Sequence, residues 1–144
     1  MWYYSLVKYL LILLFLFTAQ SFANPLKVKG LLCNYDKTHS TPYAFYFNSD
    51  YGTYFYHNIS KRNDEFSIYE VKKDIYSTDK DFIYTTYYKV NRKTLALIYL
   101  YKGRDSKVGT CEVFNDHKSL EIKMKELKDK YQEEYNKTLE GNKI

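Results

Sequence analysis

Two cysteines and three histidines carry most of the chemistry open to this chain of 144 residues. Cys33 lies early and Cys111 late, and an oxidising compartment favours joining them in the one intramolecular pairing two cysteines allow. That bond would close a loop of 79 residues, worth about 4.5 kcal/mol in unfolded-state entropy by the chain-entropy relation. Two other readings stay open at this point: a pair of buried free thiols, or a cysteine nucleophile served by His39, His57 or His117. The wide cysteine spacing matches no metal site or redox motif, and the histidines are scattered. The sequence has no glycine-rich phosphate loop, no HExxH and no nucleophile elbow. Glu65 with Glu70, or Asp79 with Asp81, offers an acid and a base in principle, yet each pair falls where turns and strand ends carry solvated charge. No catalytic, metal or cofactor site is therefore expected. Arg92 is one of only three arginines among many lysines, and its planar fork does what lysine cannot. It is a candidate ligand contact, set against the plainer uses of an exposed salt bridge or a turn cap.

Aromatic residues offer a different chemistry, because their faces stack on sugar rings. The chain has 18 Tyr and 9 Phe but 5 Gly and 2 Pro. Tyr46, Tyr54 and Tyr56 are candidate ligand contacts if they lie on an exposed sheet face. Tyrosine also favours half-buried pleated surfaces, and the abundant Tyr, Phe, Lys, Asn and Ile all have AT-rich codons, so packing and genome composition compete with ligand binding. Asn58-Ile59-Ser60 and Asn136-Lys137-Thr138 match the glycosylation pattern, which matters only in a host that reads it.

These residues must be placed in a compartment. Residues 1–9 carry Lys8 and no acid, Leu10 to Phe17 is unbroken and apolar, and Ser21-Phe22-Ala23 follows, the order of a signal peptide cleaved after Ala23. The apolar run is too short for a spanning helix, which needs about 20 residues. Retention as an anchor is the competing reading, and membrane contact is expected only through this segment. Cleavage leaves 121 residues, one domain, with 21 basic against 17 acidic side chains. Charges of both signs are mixed along the chain, so no nucleic-acid partner is expected. The expected location is periplasmic or secreted.

Within residues 24–116 the pattern predicts a β domain. Strands are expected at Lys27–Tyr35, at Tyr43–Asn48 with Tyr43, Phe45 and Phe47 on one face, and at Thr53–Ile59 with Tyr54 and Tyr56 opposite Phe55, His57 and Ile59. Ser60 to Glu65 reads as a turn and Phe66 to Val71 as a strand, with Ile75 and Tyr76 in an edge segment or loop. Phe82–Val90 and Thr94–Lys102 form a hairpin about Asn91-Arg92-Lys93, then a polar loop Gly103–Gly109 and a last strand Thr110–Phe114. Thr94–Tyr101 is apolar on both faces, so it should be central and covered on both sides. The disulfide would tie first strand to last, in an antiparallel sheet that is curved or closed like a barrel.

Residues 117–144 form the C-terminal helix and tail. Asn115-Asp116 offers a helix start, and Leu120, Met124, Leu127, Tyr131 and Tyr135 make one stripe. Glu121–Lys125, Glu126–Lys130 and Glu133–Lys137 are i, i+4 pairs on the solvated side. The stripe is expected to cover the outer face around Ala96, Ile98 and Leu100; the alternative is self-association or docking elsewhere.

With a leader, an early cysteine, the hairpin Asn91-Arg92-Lys93-Thr94-Leu95 and Gly109-Thr110-Cys111, the chain resembles small exported proteins of AT-rich bacteria and their phages that carry no assigned activity. The architecture is also similar to periplasmic lysozyme inhibitors, small disulfide-closed antiparallel barrels. The first resemblance implies a fold and no activity, and the second offers, as one alternative, an inhibitor of a cell-wall hydrolase acting through 60–65 or 103–109. The residues themselves lead us to expect a non-catalytic envelope protein that binds a protein or glycan through exposed tyrosines such as Tyr46, Tyr54 and Tyr56, or, through the helix, a structural or oligomeric envelope component.

Overall fold

The computed structural model describes residues 28–36 and 41–141, with the backbone alone at 72 and 73. The expected signal segment and His39 lie outside the described residues. Among the described residues nine strands form one antiparallel sheet: β1 (Gly30–Tyr35), β2 (Tyr43–Asn48), β3 (Thr53–Arg62), β4 (Glu65–Ile75), β5 (Ser77–Thr78), β6 (Phe82–Tyr84), β7 (Tyr88–Asn91), β8 (Ala96–Tyr101) and β9 (Arg104–Phe114). The helix α1 (His117–Gly141) follows.

The strand order is β4-β3-β2-β1-β9-β8-β7-β6-β5. First and last strands are thus neighbours in the middle, with Cys33 directly opposite Cys111. The expected closure into a barrel is not seen, because the ladder ends at β4 on one side and at β5 on the other. Those two ends are consecutive in the chain with Tyr76 alone between them. The sheet curls so that residues of β2 and β3 meet residues of β6, β7 and β8 across an inner core of Leu31, Cys33, Phe45, Phe47, Tyr54, Ile83, Val90, Leu97 and Cys111.

The other face of β1, β2 and β3 forms a second core with the helix: Leu32, Ala44, Tyr46, Ile59, Leu120 and Met124. The predicted alternation is correct, and both faces of it are buried. Tyr43, Phe45 and Phe47 turn inward, whereas Ala44 and Tyr46 meet the helix side.

Turn chemistry explains where the strands end. Asn63 and Asp64 have φ of 50° and 65°, and Arg62 pairs Glu65, so the expected turn over 60–65 shrinks to two left-handed residues. Asn and Asp tolerate that conformation better than most side chains. Lys102 and Gly103, with φ of 47° and 74°, make an equally tight link between Tyr101 and Arg104. The segment expected as loop, 103–109, is therefore mostly strand β9; Arg104 to Lys107 are exposed and carry no apolar alternation to betray it. The expected strand Phe82–Val90 breaks at Thr85, whose hydroxyl donates to the Tyr88 carbonyl and accepts the Tyr88 N–H, at 3.1 and 3.2 Å. A β-branched residue here closes a turn. The hairpin about Asn91–Lys93 is present as β7 and β8.

Asp116 caps α1, its carboxylate accepting the Ser119 N–H at 2.7 Å and the Ser119 hydroxyl at 2.8 Å. The helix does not cover Ala96, Ile98 and Leu100. Only Asn115 and Asp116 separate it from Phe114, which pairs with Gly30 beside β2, so it folds back over β1, β2 and β4. Gly30 admits it: a Cβ there would lie 2.5 Å from Leu120 Cδ2. Further along, Tyr131 stacks on Phe66 with centroids 5.9 Å apart, and Gln132 Oε1 accepts the Phe66 N–H of edge strand β4 at 2.8 Å. Tyr135 donates to Asp64 while Lys61 sits 3.9 Å over its ring. The apolar stripe is thus used within the chain. Of the expected i, i+4 pairs Glu133–Lys137 forms, at 2.6 Å; Glu126 instead pairs Lys123, and Lys130 pairs Glu134. No helix of the described residues is long and apolar enough to cross a membrane.

Candidate functional site

Cys33 and Cys111 form a disulfide between facing residues of β1 and β9, at 0 % and 8 % exposure. The thiol-nucleophile reading falls with it. Tyr46 and Tyr54 are not the exposed ligand contacts expected of them, each being 1 % exposed. Both sit on central strands with cores on either side. Tyr54 donates to Thr86 Oγ1 and accepts the Thr86 N–H, each at 3.2 Å, which links β3 to the turn between β6 and β7 across the inner core. Tyr56 is half-buried and packs on Tyr43, Phe45 and Tyr54. Tyr35 and Tyr88 bond through their hydroxyls beside it. Burial pushes the Tyr35 and Tyr88 hydroxyls above the usual tyrosine range, so this cluster is a set of neutral, mutually packed rings.

Tyr46 gathers two of the three histidines. Its ring lies 4.8 Å from His57 and 5.4 Å from His117, and it stacks on Phe55 at 5.1 Å. His117 Nε2 is 3.1 Å from the Phe47 carbonyl, whereas His57 Nε2 and the Tyr46 hydroxyl are buried with no hydrogen-bond partner among the described residues. Glu70 stands 3.7 Å from His57 Nε2, beyond hydrogen-bond reach. Burial, and then the charge of Glu121, push the Tyr46 hydroxyl up to about 12. The three rings around Tyr46 pack beneath the helix beside Leu120 and Met124. No group of three or more His, Cys, Asp and Glu among the described residues could hold a metal ion.

Arg92 stands in a different setting. Two turns meet at one end of the β6–β7 pair, because Phe82 lies opposite Asn91. The first turn is held by Asp79, whose Oδ1 accepts the N–H groups of Asp81 and Phe82 at 2.8 and 2.7 Å, and whose Oδ2 accepts the Tyr84 hydroxyl. These backbone bonds hold the Asp79 carboxyl below its usual range. The second turn is held by Asn91, whose Oδ1 accepts the N–H groups of Lys93 and Thr94 at 3.0 and 2.8 Å. Leu95 ends that turn at φ 58°, a conformation bulky side chains seldom adopt. Arg92 ties the two together: its N–H reaches the Asp81 carbonyl at 2.8 Å, and its guanidinium donates to the Asp79 carbonyl at 2.6 Å. Lys80, Asp81, Asn91, Arg92, Lys93 and Thr94 line an open depression of about 410 Å³ between them. Arg92 was legible as a candidate. Its companions were not, although placing Phe82 opposite Asn91 brings Lys80 and Lys93 to the same end.

Comparison with known proteins adds no constraint. No family model, curated protein or solved structure matches the chain.

Proposed function

We propose that this chain is a small exported, non-catalytic binding protein of the cell envelope, with a protein or glycan ligand held at the Arg92 end of the sheet. The observation that carries the reading is the depression itself, where polar side chains from two braced turns face solvent around an arginine. The buried disulfide accords with an oxidising location. Cytoplasmic chemistry would rarely keep such a bond.

The test has two parts. Intact mass of the protein recovered from outside the cytoplasm should show loss of residues 1–23 and no thiol that alkylates without reductant. Labelled protein should then be retained by isolated envelope material and released by excess unlabelled protein. An uncleaved chain with two reactive thiols, or no saturable retention, refutes the proposal.

The hydrolase-inhibitor reading would fall to the tip of β8 and β9, where Tyr101, Lys102, Gly103 and Arg104 all stand exposed. A lysozyme assay without inhibition at excess protein removes it.

A further inference from the structure

We propose that the depression at Arg92 is a subsite for one oxyanion, a carboxylate or phosphate, carried on an acidic envelope glycan or polymer. This rests on the binding role proposed above and names the chemical class of the ligand. Lys80, Arg92 and Lys93 contribute three cations to the lining and Asp81 one carboxylate. Among the described residues none of those three cations forms an ion pair, although most salt bridges elsewhere on this surface are formed by lysines. Asp79, in the same turn but outside the lining, directs its oxygens to the N–H groups of Asp81 and Phe82 and to the Tyr84 hydroxyl. The Asp79 charge acts on Arg92 and Asp81 lies in the lining, so the depression keeps an excess of one positive charge that no salt bridge takes up among the described residues.

The arginine is oriented before any ligand arrives. One guanidinium nitrogen is anchored on the Asp79 carbonyl, which sets the plane of the fork and leaves other N–H groups to donate to two oxygens of an anion. Asn91 keeps its amide nitrogen free of the turn bonds, which use its oxygen. The loss of freedom on binding is small because Asp79, Asn91 and the left-handed Leu95 already fix both turns. Asp81 gives the same depression an acceptor for a neighbouring hydroxyl, as a sugar would present and a bare inorganic ion would not. At about 410 Å³ and open to solvent, the space suits one residue of a polymer.

The experiment measures binding of the full exported protein to polygalacturonate, to a glycerol-phosphate polymer and to neutral dextran at fixed ionic strength. Arg92→Gln should weaken binding to the preferred anionic polymer about tenfold, the loss expected for a charge-assisted pair. The Lys80→Gln/Lys93→Gln double variant, which leaves the Arg92 anchor in place, should also weaken it with an unchanged melting temperature. A charge-matched control, Lys118→Gln/Lys125→Gln on the helix, should bind as wild type. The carboxylate and phosphate arms tell the two sources apart. Equal binding of dextran, or loss by the helix variant equal to that of the Arg92 variant, overturns the oxyanion subsite while leaving a binding protein. No binding to either anionic polymer, with saturable retention on envelope material, likewise overturns the subsite alone.

Discussion

Reducing the Cys33–Cys111 bond should lower the stability of the domain by about 4.5 kcal/mol at 25 °C. The cysteines are 78 residues apart, and the chain-entropy relation assigns a loop of that size roughly 15 cal/mol/K. Reduction leaves both sulfurs in the inner core, so it isolates the cross-link; Cys33→Ala/Cys111→Ala adds lost packing at two positions, one of them fully buried. The double variant should therefore be the less stable of the two, by about 1 to 2 kcal/mol. Urea unfolding followed by far-ultraviolet circular dichroism gives the comparison directly. With a slope of about 1.5 to 2 kcal/mol/M, the midpoint of the reduced protein should fall by about 2 to 3 M, a large part of a typical domain's total stability. A loss under about 1 kcal/mol would refute the reasoning, since it would mean that the reduced, unfolded chain already holds its first and last strands together.

Gly109→Ala should destabilise by about 2 kcal/mol or more, because its Cβ would lie 2.0 Å from the Asn34 carbonyl oxygen of the adjoining strand; an unchanged melting temperature would contradict that spacing. Met124→Ala should lose about 2 to 5 kcal/mol beneath the helix, whereas Ile122→Ala, at 52 % exposure, should stay within about 0.5 kcal/mol in the same denaturation assay. Tyr46, raised to about 12 by burial, contributes stability that is complete below the ordinary tyrosine value near 10 and is lost as pH rises from there toward 12. Tyrosinate absorbance should accordingly rise in two phases, the later one coinciding with unfolding, and a single phase near 10 for all tyrosines would contradict it.

Alternation in the sequence located β2 to the residue and divided β3 correctly, because period-two patterning is a direct image of a pleated strand. It could not show that both faces of β2 are buried. A tyrosine under a helix reads the same as a tyrosine facing solvent, and Tyr46 and Tyr54 were misjudged for that reason. The lower half of β9 was missed because a strand that extends beyond the cores needs no apolar face. The helix position depended on which strand lies beside β9, a fact of pairing rather than of periodicity. The Arg92 depression had the same obstacle: its cations lie 12 and 13 residues from Lys80, and only the β6–β7 register makes them neighbours.

The central β1–β9 pair also dictates an order of assembly. One long edge of β1 can be filled by β2 within a few residues, but the other waits until residues 104–114 have been made. Folding therefore waits on pairings far apart in the chain and should be slow for a domain of this size. Until β9 arrives, β1 presents an open edge to any other chain nearby, a hazard of newly synthesised sheets. The earliest of the described strands is thus completed late, and the second core waits longer still, for Leu120 and Met124 beyond Phe114.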